Sequence, residues 1–443
     1  MLLFYLYNIS QKNGTGHVGE KGRGFRVPEK GSWKMKQNTK LWTKDFSCIT
    51  AATVLSAIGG EAMNLPVSLL VFDETQSAFL SAVIMVCGML PDVLLPVLAA
   101  PLIDKGGKKK WIVGMDALLA VLYVVMGVWI SKNSFSFGVY VAFTLLAGTI
   151  SVFYRLAYQA WYPDLIPAGE KQKGYAVSAM VYPIVMVVSA PFATFLYETL
   201  KMDVIFYIVA GITVASIIVE SRVTEKQSTA EESYTFRQYR RDIAEGFTYI
   251  KKEKGIRNIY TYMAITQGTS EGLGIITQVY YQSQPWLTVT MLGFLKSAEM
   301  IGRVLGGFFQ YTKEIPAKKR YAFTKFVYIF YNIIDMVLLF LPYPAMLASR
   351  FLCGGLGISS ATVRETAVMS YLPEHMRARV NAFFNTLFAI GGVLFQFLAG
   401  ALGEILPYRA VALLLGGASL VSVFFLIVLP AKDNRPVYEA VSR

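Results

Sequence analysis

The feature that most constrains this chain is a series of long apolar runs, each close to the length that crosses a lipid bilayer. A transmembrane helix needs about 20 mostly apolar residues, and twelve such runs lie between residues 46 and 430. Of the 443 residues, 54% are hydrophobic and 16% are charged, and the mean hydropathy is +0.46. Soluble proteins carry about a quarter charged residues, so the sequence predicts an all-α membrane protein.

The twelve runs form two groups of six, separated by a long polar segment. The predicted spans are 46–72, 77–103, 111–132, 137–162, 175–200 and 202–221, then 258–282, 289–311, 321–342, 344–371, 378–403 and 408–430. We therefore expect an N-terminal segment (1–45, of which 1–34 are disordered), a six-helix bundle (46–221), a linker (222–257), a second bundle (258–430) and a tail (431–443).

The basic residues predict the orientation of these spans. Lys and Arg concentrate in the loops after even-numbered spans, whereas the loops after odd-numbered spans hold only Lys132, Lys201 and Arg409. Loops rich in Lys and Arg stay on the cytoplasmic side. We therefore expect a multi-pass protein of the cell membrane with both termini in the cytoplasm.

Composition and motifs argue against several other classes of function. The net charge is +13, but the basic residues recur in short clusters rather than one patch, so no nucleic-acid partner is predicted. The three cysteines have no metal-site spacing, and both histidines lie outside the apolar runs. We expect no metal, no cofactor and no disulfide. A P-loop and a paired catalytic motif are absent, so the sequence predicts neither an enzyme nor a use of ATP.

The linker contains one stretch with a helical pattern. In FRQYRRDIAEGFTYIKKEK, the apolar residues Phe236, Tyr239, Ile243, Phe247 and Ile250 fall at helical spacing. We predict an amphipathic surface helix that bridges the two halves, with its basic residues facing lipid headgroups.

The two halves resemble each other at an offset of 206 residues. At this offset Pro167 aligns with Pro373, Lys173 with Arg379, Ala176 with Ala382, and Glu198 with Glu404. An internal repeat of two six-helix units is typical of transporters that rock around a central site. The sequence thus predicts two pseudo-symmetric halves.

The loop between spans 2 and 3 carries the motif of a known family. The sequence PLIDKGGKKKW resembles the loop signature of the major facilitator superfamily, with alanine in place of its first glycine. The matching positions are Ala100, Asp104, Lys105, Gly107, Lys108 and Lys109. The resemblance implies a gate on the cytoplasmic side, in which Asp104 contacts the start of span 11 near Arg377 when that side is closed.

Other stretches are similar to the macrolide-efflux-type branch of drug–proton antiporters within that family. They include IGGEAMNLP in span 1 and AYQAWYPDLIP at the end of span 4. The resemblance implies a secondary active transporter that works by alternating access. We expect a monomer in the lipid bilayer that exports amphipathic small molecules in exchange for protons.

Charged residues inside the apolar runs are the candidate site. Ionisable groups within a bilayer are costly and mark functional positions by default. Glu61 lies about 22 Å along span 1, and Glu271 about 20 Å along span 7. The full set of candidates for substrate binding or coupling is Glu61, Asp92, Glu271, Lys296, Glu299, Arg303 and Asp335. Asp116 and Arg155 lie nearer the predicted cytoplasmic ends, and we interpret them as packing or gate residues.

Two interpretations of these charges stay open from the sequence. The Lys296, Glu299 and Arg303 group on span 8 either fixes helix packing or lines a cavity with net positive charge. Glu61 and Glu271 either make polar contacts between helices or bind protons.

The functional alternatives also stay open. An uptake or flipping transporter for an anionic or zwitterionic substrate, such as a lysophospholipid, would use Lys296 and Arg303. A membrane-embedded enzyme or a sensor is the alternative from another class, although the sequence shows no catalytic motif and no extra soluble domain.

Overall fold

The computed structural model describes residues 41–95, 103, 107–167, 170–224, 236–312 and 315–440. Within these residues the chain forms helices at the positions of all twelve predicted spans. The first six are α1 (Lys44–Thr75), α2 (Ala78–Leu94), α3 (Lys108–Lys132), α4 (Phe137–Leu165), α5 (Lys171–Thr199) and α6 (Met202–Ser221). The expectation for residues 1–34 lies outside the described part of the chain.

The linker helix α7 (Phe236–Lys252) precedes the second group. That group comprises α8 (Lys254–Ser283), α9 (Val289–Thr312), α10 (Ala317–Val337), α11 (Tyr343–Tyr371), α12 (Glu374–Ile405) and α13 (Tyr408–Val423). A 3₁₀ turn, Leu338–Phe340, extends α10, and a π-helical turn, Phe424–Val428, extends α13. A final helix, α14 (Ala431–Tyr438), lies in the segment predicted as a tail.

The helix starts follow from local sequence. At the start of α1, the hydroxyl of Thr43 accepts a hydrogen bond from the backbone amide of Phe46. At the start of α2, the hydroxyl of Ser77 accepts one from the amide of Leu80. Such side chains satisfy amides that have no partner within the helix. In the second half, prolines stand immediately before α10, α11, α12 and α13. Proline lacks an N–H and cannot continue a preceding helix, so it separates these spans cleanly.

Nine helices in the described ranges are long and apolar enough to cross a membrane, judged by length and composition. The long helices α8 and α9 fall short of that criterion. They carry Glu271 and the Lys296, Glu299 and Arg303 group, respectively. Both of the long helices that fall short therefore carry candidate site residues.

The two halves use the same helix pairings. In the first half α1 packs on α5 and α6, α3 packs on α4 and α6, and α2 packs on α4. In the second half the equivalent helices pair in the same way: α8 packs on α12 and α13, α10 on α11 and α13, and α9 on α11. The repeat that the offset of 206 residues predicts is therefore also a repeat of packing.

The halves meet along two seams, α5 against α9 and α2 against α12. Glycine permits close approach at both. A Cβ atom on Gly293 of α9 would lie 2.7 Å from the Cα of Pro191 and 2.9 Å from the carbonyl oxygen of Ala190 on α5. A Cβ atom on Gly400 of α12 would lie 2.7 Å from the Cβ of Ala82 on α2. The helix backbones are in contact at these points.

One end of each seam carries a carboxylate clasp. We call this the outer end and the end with Lys108 and Lys318 the inner end, following the predicted orientation. Glu198 at the end of α5 accepts the amide of Thr290, 3.0 Å away, at the start of α9. Glu404 at the end of α12 accepts the amide of Phe79, 2.8 Å away, at the start of α2. Glu198 and Glu404 are partners in the repeat, so each half places one carboxylate on a helix N-terminus of the other, where negative charge is favourable.

Two peripheral helices pack on the second half. In α7, Gly246 lies against the backbone of Arg379 on α12, and Glu245 forms an ion pair with Arg379. The ring of Phe247 packs against that of Phe383 at a tilt of 48°. In α14, Tyr438 is fully buried, and its hydroxyl lies 3.0 Å from that of Tyr328. The linker helix therefore has a protein contact in addition to any with lipid, and the tail is part of the bundle.

Candidate functional site

The centre of the candidate site is a set of three charges from both halves. Glu61 comes from α1 in the first half, and Glu271 and Lys296 come from α8 and α9 in the second. The Lys296 ammonium group interacts electrostatically with both carboxylates. Tyr182 on α5 lies at hydrogen-bond distance, 3.5 Å, from Glu61. We call Glu61, Glu271 and Lys296 the central triad; it joins the halves through charge.

Glu271 is held by two amide side chains. Gln267, one turn earlier on α8, donates to its Oε1 atom over 2.7 Å, and Gln396 on α12 donates to its Oε2 atom over 3.2 Å. The Gln396 amide also lies 3.5 Å from the sulfur of Met89 on α2. Glu271 is thus fixed at the junction of α8 and α12, beside the second seam.

The other candidates on α9 belong to a network of ion pairs that extends to α10 and α11. The Arg303 guanidinium pairs with Glu299 at 2.9 Å. Arg350 on α11 pairs with Asp335 on α10 at 2.9 Å and lies 3.9 Å from Glu299. These four residues, which we call the arginine network, carry no net charge. The side chain of Arg303 is 43% exposed, whereas that of Asp335 is 5% exposed, so Arg303 is the accessible end.

The structure therefore divides the group that the sequence placed together on span 8. Lys296 interacts electrostatically with Glu61 and Glu271 first and with Glu299 least. Glu299 and Arg303 are linked to α10 and α11 through Arg350. Because the arginine network is neutral and Lys296 adds one positive charge, the charged residues on and around α9 keep a net positive charge, and the interpretation of a positively charged cavity wall stays a prediction.

Asp92 lies apart from both groups. Its two carboxylate oxygens accept from the two terminal nitrogens of Arg155 on α4, each over 2.7 Å. This pair joins α2 to α4 within the first half. The structure places Asp92 in an internal contact of one bundle and not in the central triad.

The loop motif is described only in its second half. Ala100, Asp104 and Lys105 lie outside the described residues, and so does the predicted contact of Asp104. Gly107 directly precedes α3. The Lys108 amine donates to the carbonyl of Ala160 over 3.0 Å and lies 3.5 Å from Asp164. The Lys109 amine donates to the carbonyls of Ser221 and Val223 over 2.7 and 2.8 Å. The two lysines tie the start of α3 to the ends of α4 and α6.

Sequence reasoning missed several residues of this site. Arg350 lies about 10 Å into its predicted span, so the rule that identified Glu61 would also have identified it. Gln267, Gln396 and Tyr182 carry no charge, and nothing in their spacing distinguishes them from ordinary polar residues of a helix. In the part of the chain that the structure describes, no group of His, Cys, Asp and Glu has the geometry to hold a metal ion.

Two pseudo-symmetric helical bundles that meet on two seams around buried charges define a multi-pass membrane transporter. The sequence pattern of the Major Facilitator Superfamily matches residues 49–341 and 326–442. This chain belongs to that family, as its loop motif predicts.

Two similar proteins are macrolide efflux proteins. Macrolide efflux protein A of Streptococcus pyogenes is 24% identical over 294 residues, which cover 62% of this chain and 69% of that protein. Macrolide efflux protein A of Enterococcus faecalis is 25% identical over 243 residues, covering 52% of this chain and 72% of that protein. The predicted similarity to macrolide-efflux-type transporters is confirmed at modest identity.

Solved structures confirm the fold. A POT family transporter in complex with 5-aminolevulinic acid superposes with a TM-score of 0.68 at 10% identity, covering 88% of this chain and 96% of that one. The nucleoside transporter NupG superposes with a TM-score of 0.65 at 12% identity, covering 87% of this chain and 99% of that one. At these identities the likeness concerns the fold alone.

Proposed function

We propose that this transporter exports amphipathic, positively charged small molecules in exchange for protons, by alternating access of the central triad to the two sides of the membrane. The observation that carries the proposal is the triad itself. It has two carboxylates and one ammonium group, and its members come from both halves. Macrolide efflux proteins among the relatives support the efflux of amphipathic compounds.

The charge balance of the triad explains how exchange would work. One carboxylate is balanced by Lys296, and the other needs either a proton or a cationic substrate. Unpaired charge in a bilayer is expensive, so proton and substrate compete for the second carboxylate. Binding one therefore favours release of the other, which is the requirement for antiport.

The geometry at the outer end supports alternating access. Two clasps hold the outer ends of both seams together: Glu198 of α5 accepts from the start of α9, and Glu404 of α12 accepts from the start of α2. Gln282 of α8 adds a contact of 2.8 Å with Asp73 of α1. All of these are exposed polar contacts, which are individually weak and open readily.

We further propose that the inner end faces the cytoplasm of a cell and that both termini lie on that side. The lysines at the inner ends of α3 and α10 support this orientation through the positive-inside rule. Residues 46–221 and 258–430 would then move as two units, and the protein would act as a monomer.

A second candidate substrate is an anionic or zwitterionic lipid such as a lysophospholipid. The observation that favours it is the half-exposed guanidinium of Arg303, since arginine pairs with phosphate in a bidentate manner. Its partner Glu299 already occupies one side of that group, which makes this candidate the second.

The test uses purified protein in proteoliposomes with an imposed pH gradient and a panel of cationic dyes, macrolides and lysophospholipids. We expect gradient-driven movement of cationic amphipaths. Glu271→Gln should weaken their binding by about ten- to hundredfold, because contacts with a charged group contribute about 1.5–3 kcal/mol.

The matched control is Glu74→Gln, because Glu74 lies on α1 but is exposed at its outer end. This variant should bind and transport like the wild type. Wild-type binding and gradient-driven transport in both Glu61→Gln and Glu271→Gln would exclude the triad as the exchange site. Movement of lysophospholipids alone would replace the first candidate by the second.

A further inference from the structure

A second pair of buried acids lies inside the first bundle, away from the central triad. Asp116 on α3 is 4% exposed, and Glu220 near the end of α6 is fully buried. From the sequence we interpreted Asp116 as a packing or gate residue, and Glu220 drew no interpretation. The transport mechanism proposed above uses neither.

The two carboxyl groups share one hydroxyl group. Tyr154 on α4 donates to the Oε1 atom of Glu220 over 2.9 Å, and the Ser216 hydroxyl lies 3.5 Å from the same atom. The Ser56 hydroxyl on α1 lies 3.0 Å from the Ser216 hydroxyl, and Asp116 interacts with both of these hydroxyl groups. The site therefore joins α1, α3, α4 and α6.

The hydrogen atoms available at this site do not satisfy its acceptors. Tyr154, Ser56 and Ser216 have one hydroxyl hydrogen each, while the two carboxylates present four oxygens. Ser216 also lies 3.3 Å from the carbonyl of Ala52. The Oδ2 atom of Asp116 and the Oε2 atom of Glu220 are buried and have no hydrogen-bond partner among the described residues. Buried polar atoms of this kind are rare and call for a missing donor.

The surrounding groups supply no balancing charge. The carboxylates interact electrostatically with each other and with Tyr154, and Asp116 also interacts with Tyr123 on α3. In the described ranges neither carboxylate forms an ion pair with a basic side chain. At the inner end, Lys109 donates to the carbonyls of Ser221 and Val223, and Arg222 is exposed.

On α1, Asp45 accepts the amide of Thr224, just beyond the end of α6. It adds negative and not positive charge near the pair. Two buried carboxylates that repel each other electrostatically, with no basic group paired to either, cannot both be ionised without a large cost.

We propose that Asp116 and Glu220 bind one proton as a pair, so that at most one of the two acids is ionised, and that this proton exchanges with water at the inner end of α6. The proton adds to a carboxylate oxygen and leaves to water, and no other bond changes. This inference deepens the proton exchange of the proposed function by naming a proton site outside the central triad.

Helix α1 connects the Asp116–Glu220 pair to the central triad. Ser56 lies on α1 five residues before Glu61, so one helix carries both a ligand of the pair and a member of the triad. Loss of the proton would leave two like charges across the α3–α6 contact, and α1 is bonded to that contact through Ser56.

The experiment is infrared difference spectroscopy of the purified wild-type protein in lipid, without substrate. We expect a carbonyl absorption from a protonated carboxyl group that shifts in D₂O and is lost at alkaline pH. The double variant Asp116→Asn, Glu220→Gln should lose intensity equivalent to one carboxyl group. The control Asp203→Asn, at the outer end of α6, should keep the wild-type intensity.

If the double variant does not fold, a single variant tests the proton pair instead. Asp116→Asn removes the like charge beside Glu220, so Glu220 can ionise at lower pH and the carboxyl signal should also fall. Wild-type intensity in both the double and the single variant overturns the proposal. The infrared experiment contains no substrate, so it tests the proton pair and does not depend on whether transport is coupled to protons. Coupling is tested separately by the proteoliposome experiment, so the two proposals can fail independently.

Discussion

At the scale of single residues, burial separates the two arginines of the arginine network. Arg350 is 8% exposed and contacts Asp335 and Glu299, whereas the Arg303 side chain is half-exposed and contacts only Glu299 among the network's acids. Removing one partner of a buried ion pair costs about 3–5 kcal/mol, because the other charge stays buried and unpaired. Exposed pairs contribute about 0–1 kcal/mol.

We therefore expect Arg350→Ala to destabilise the protein strongly and Arg303→Ala to leave its stability nearly unchanged while it impairs transport. Thermal unfolding of the two purified variants, followed by tryptophan fluorescence, measures the difference. Equal melting temperatures for the two variants would contradict the division of roles between buried and accessible arginine.

Single residues also show which parts of the candidate site the sequence predicts and which it does not. Charge within an apolar run marked Glu61, Glu271 and Lys296 as candidates, because a charge in a bilayer is unusual wherever it occurs. The partner of each charge was not predictable. Spacing on one helix paired Arg303 with Glu299 but could not show that Arg350 and Asp335 complete the network from other helices.

At the scale of helices, the close contact of α5 with α9 predicts the effect of a larger side chain at Gly293. Gly293→Ala would place a methyl group against the backbone of Ala190 and Pro191, so the two helices must separate. Overpacking of this kind costs about 1–3 kcal/mol. We expect lower thermal stability and slower transport in proteoliposomes.

The matched control is Gly307→Ala on the same helix. A Cβ atom at Gly307 meets nothing within 4 Å, and alanine is the better helix former by about 1 kcal/mol. This variant should be as stable as the wild type or slightly more stable. A Gly293→Ala protein that melts and transports like Gly307→Ala would show that the seam tolerates separation.

Helix positions were largely predictable, and their exceptions have physical reasons. Apolar length identified every span, since lipid demands it. The start of α5 at Lys171, four residues before the predicted start, and the helix α14 were not visible in the same way. Both segments are polar, and α14 is held by the burial of Tyr438 and the bonds of Asn434 to the carbonyls of Leu426 and Ile427, which are tertiary contacts.

At the scale of the whole molecule, the repeat of 206 residues predicted two related halves. It also aligned Glu198 with Glu404 before either had a known contact. Sequence could not show that each of these carboxylates reaches across to the other half, because that depends on which helices form the seams. The two clasps therefore emerge only from the assembled bundles.

The central claim is that the halves rock, so that the outer and inner ends open in alternation. The measurement that tests it most directly is electron–electron resonance distance spectroscopy on two labelled pairs, in a background with Cys48, Cys87 and Cys353 replaced by serine. Lys132→Cys with Trp286→Cys reports the outer end, and Lys110→Cys with Lys318→Cys reports the inner end; all four positions are exposed.

We expect two distance populations for each pair, which shift in opposite directions when pH or a cationic substrate is changed. Adding Glu198→Gln and Glu404→Gln should release the clasps and enrich the population with a long outer and a short inner distance. Distances that stay single and unchanged under all of these conditions, or that lengthen together at both ends, would contradict alternating access in this protein.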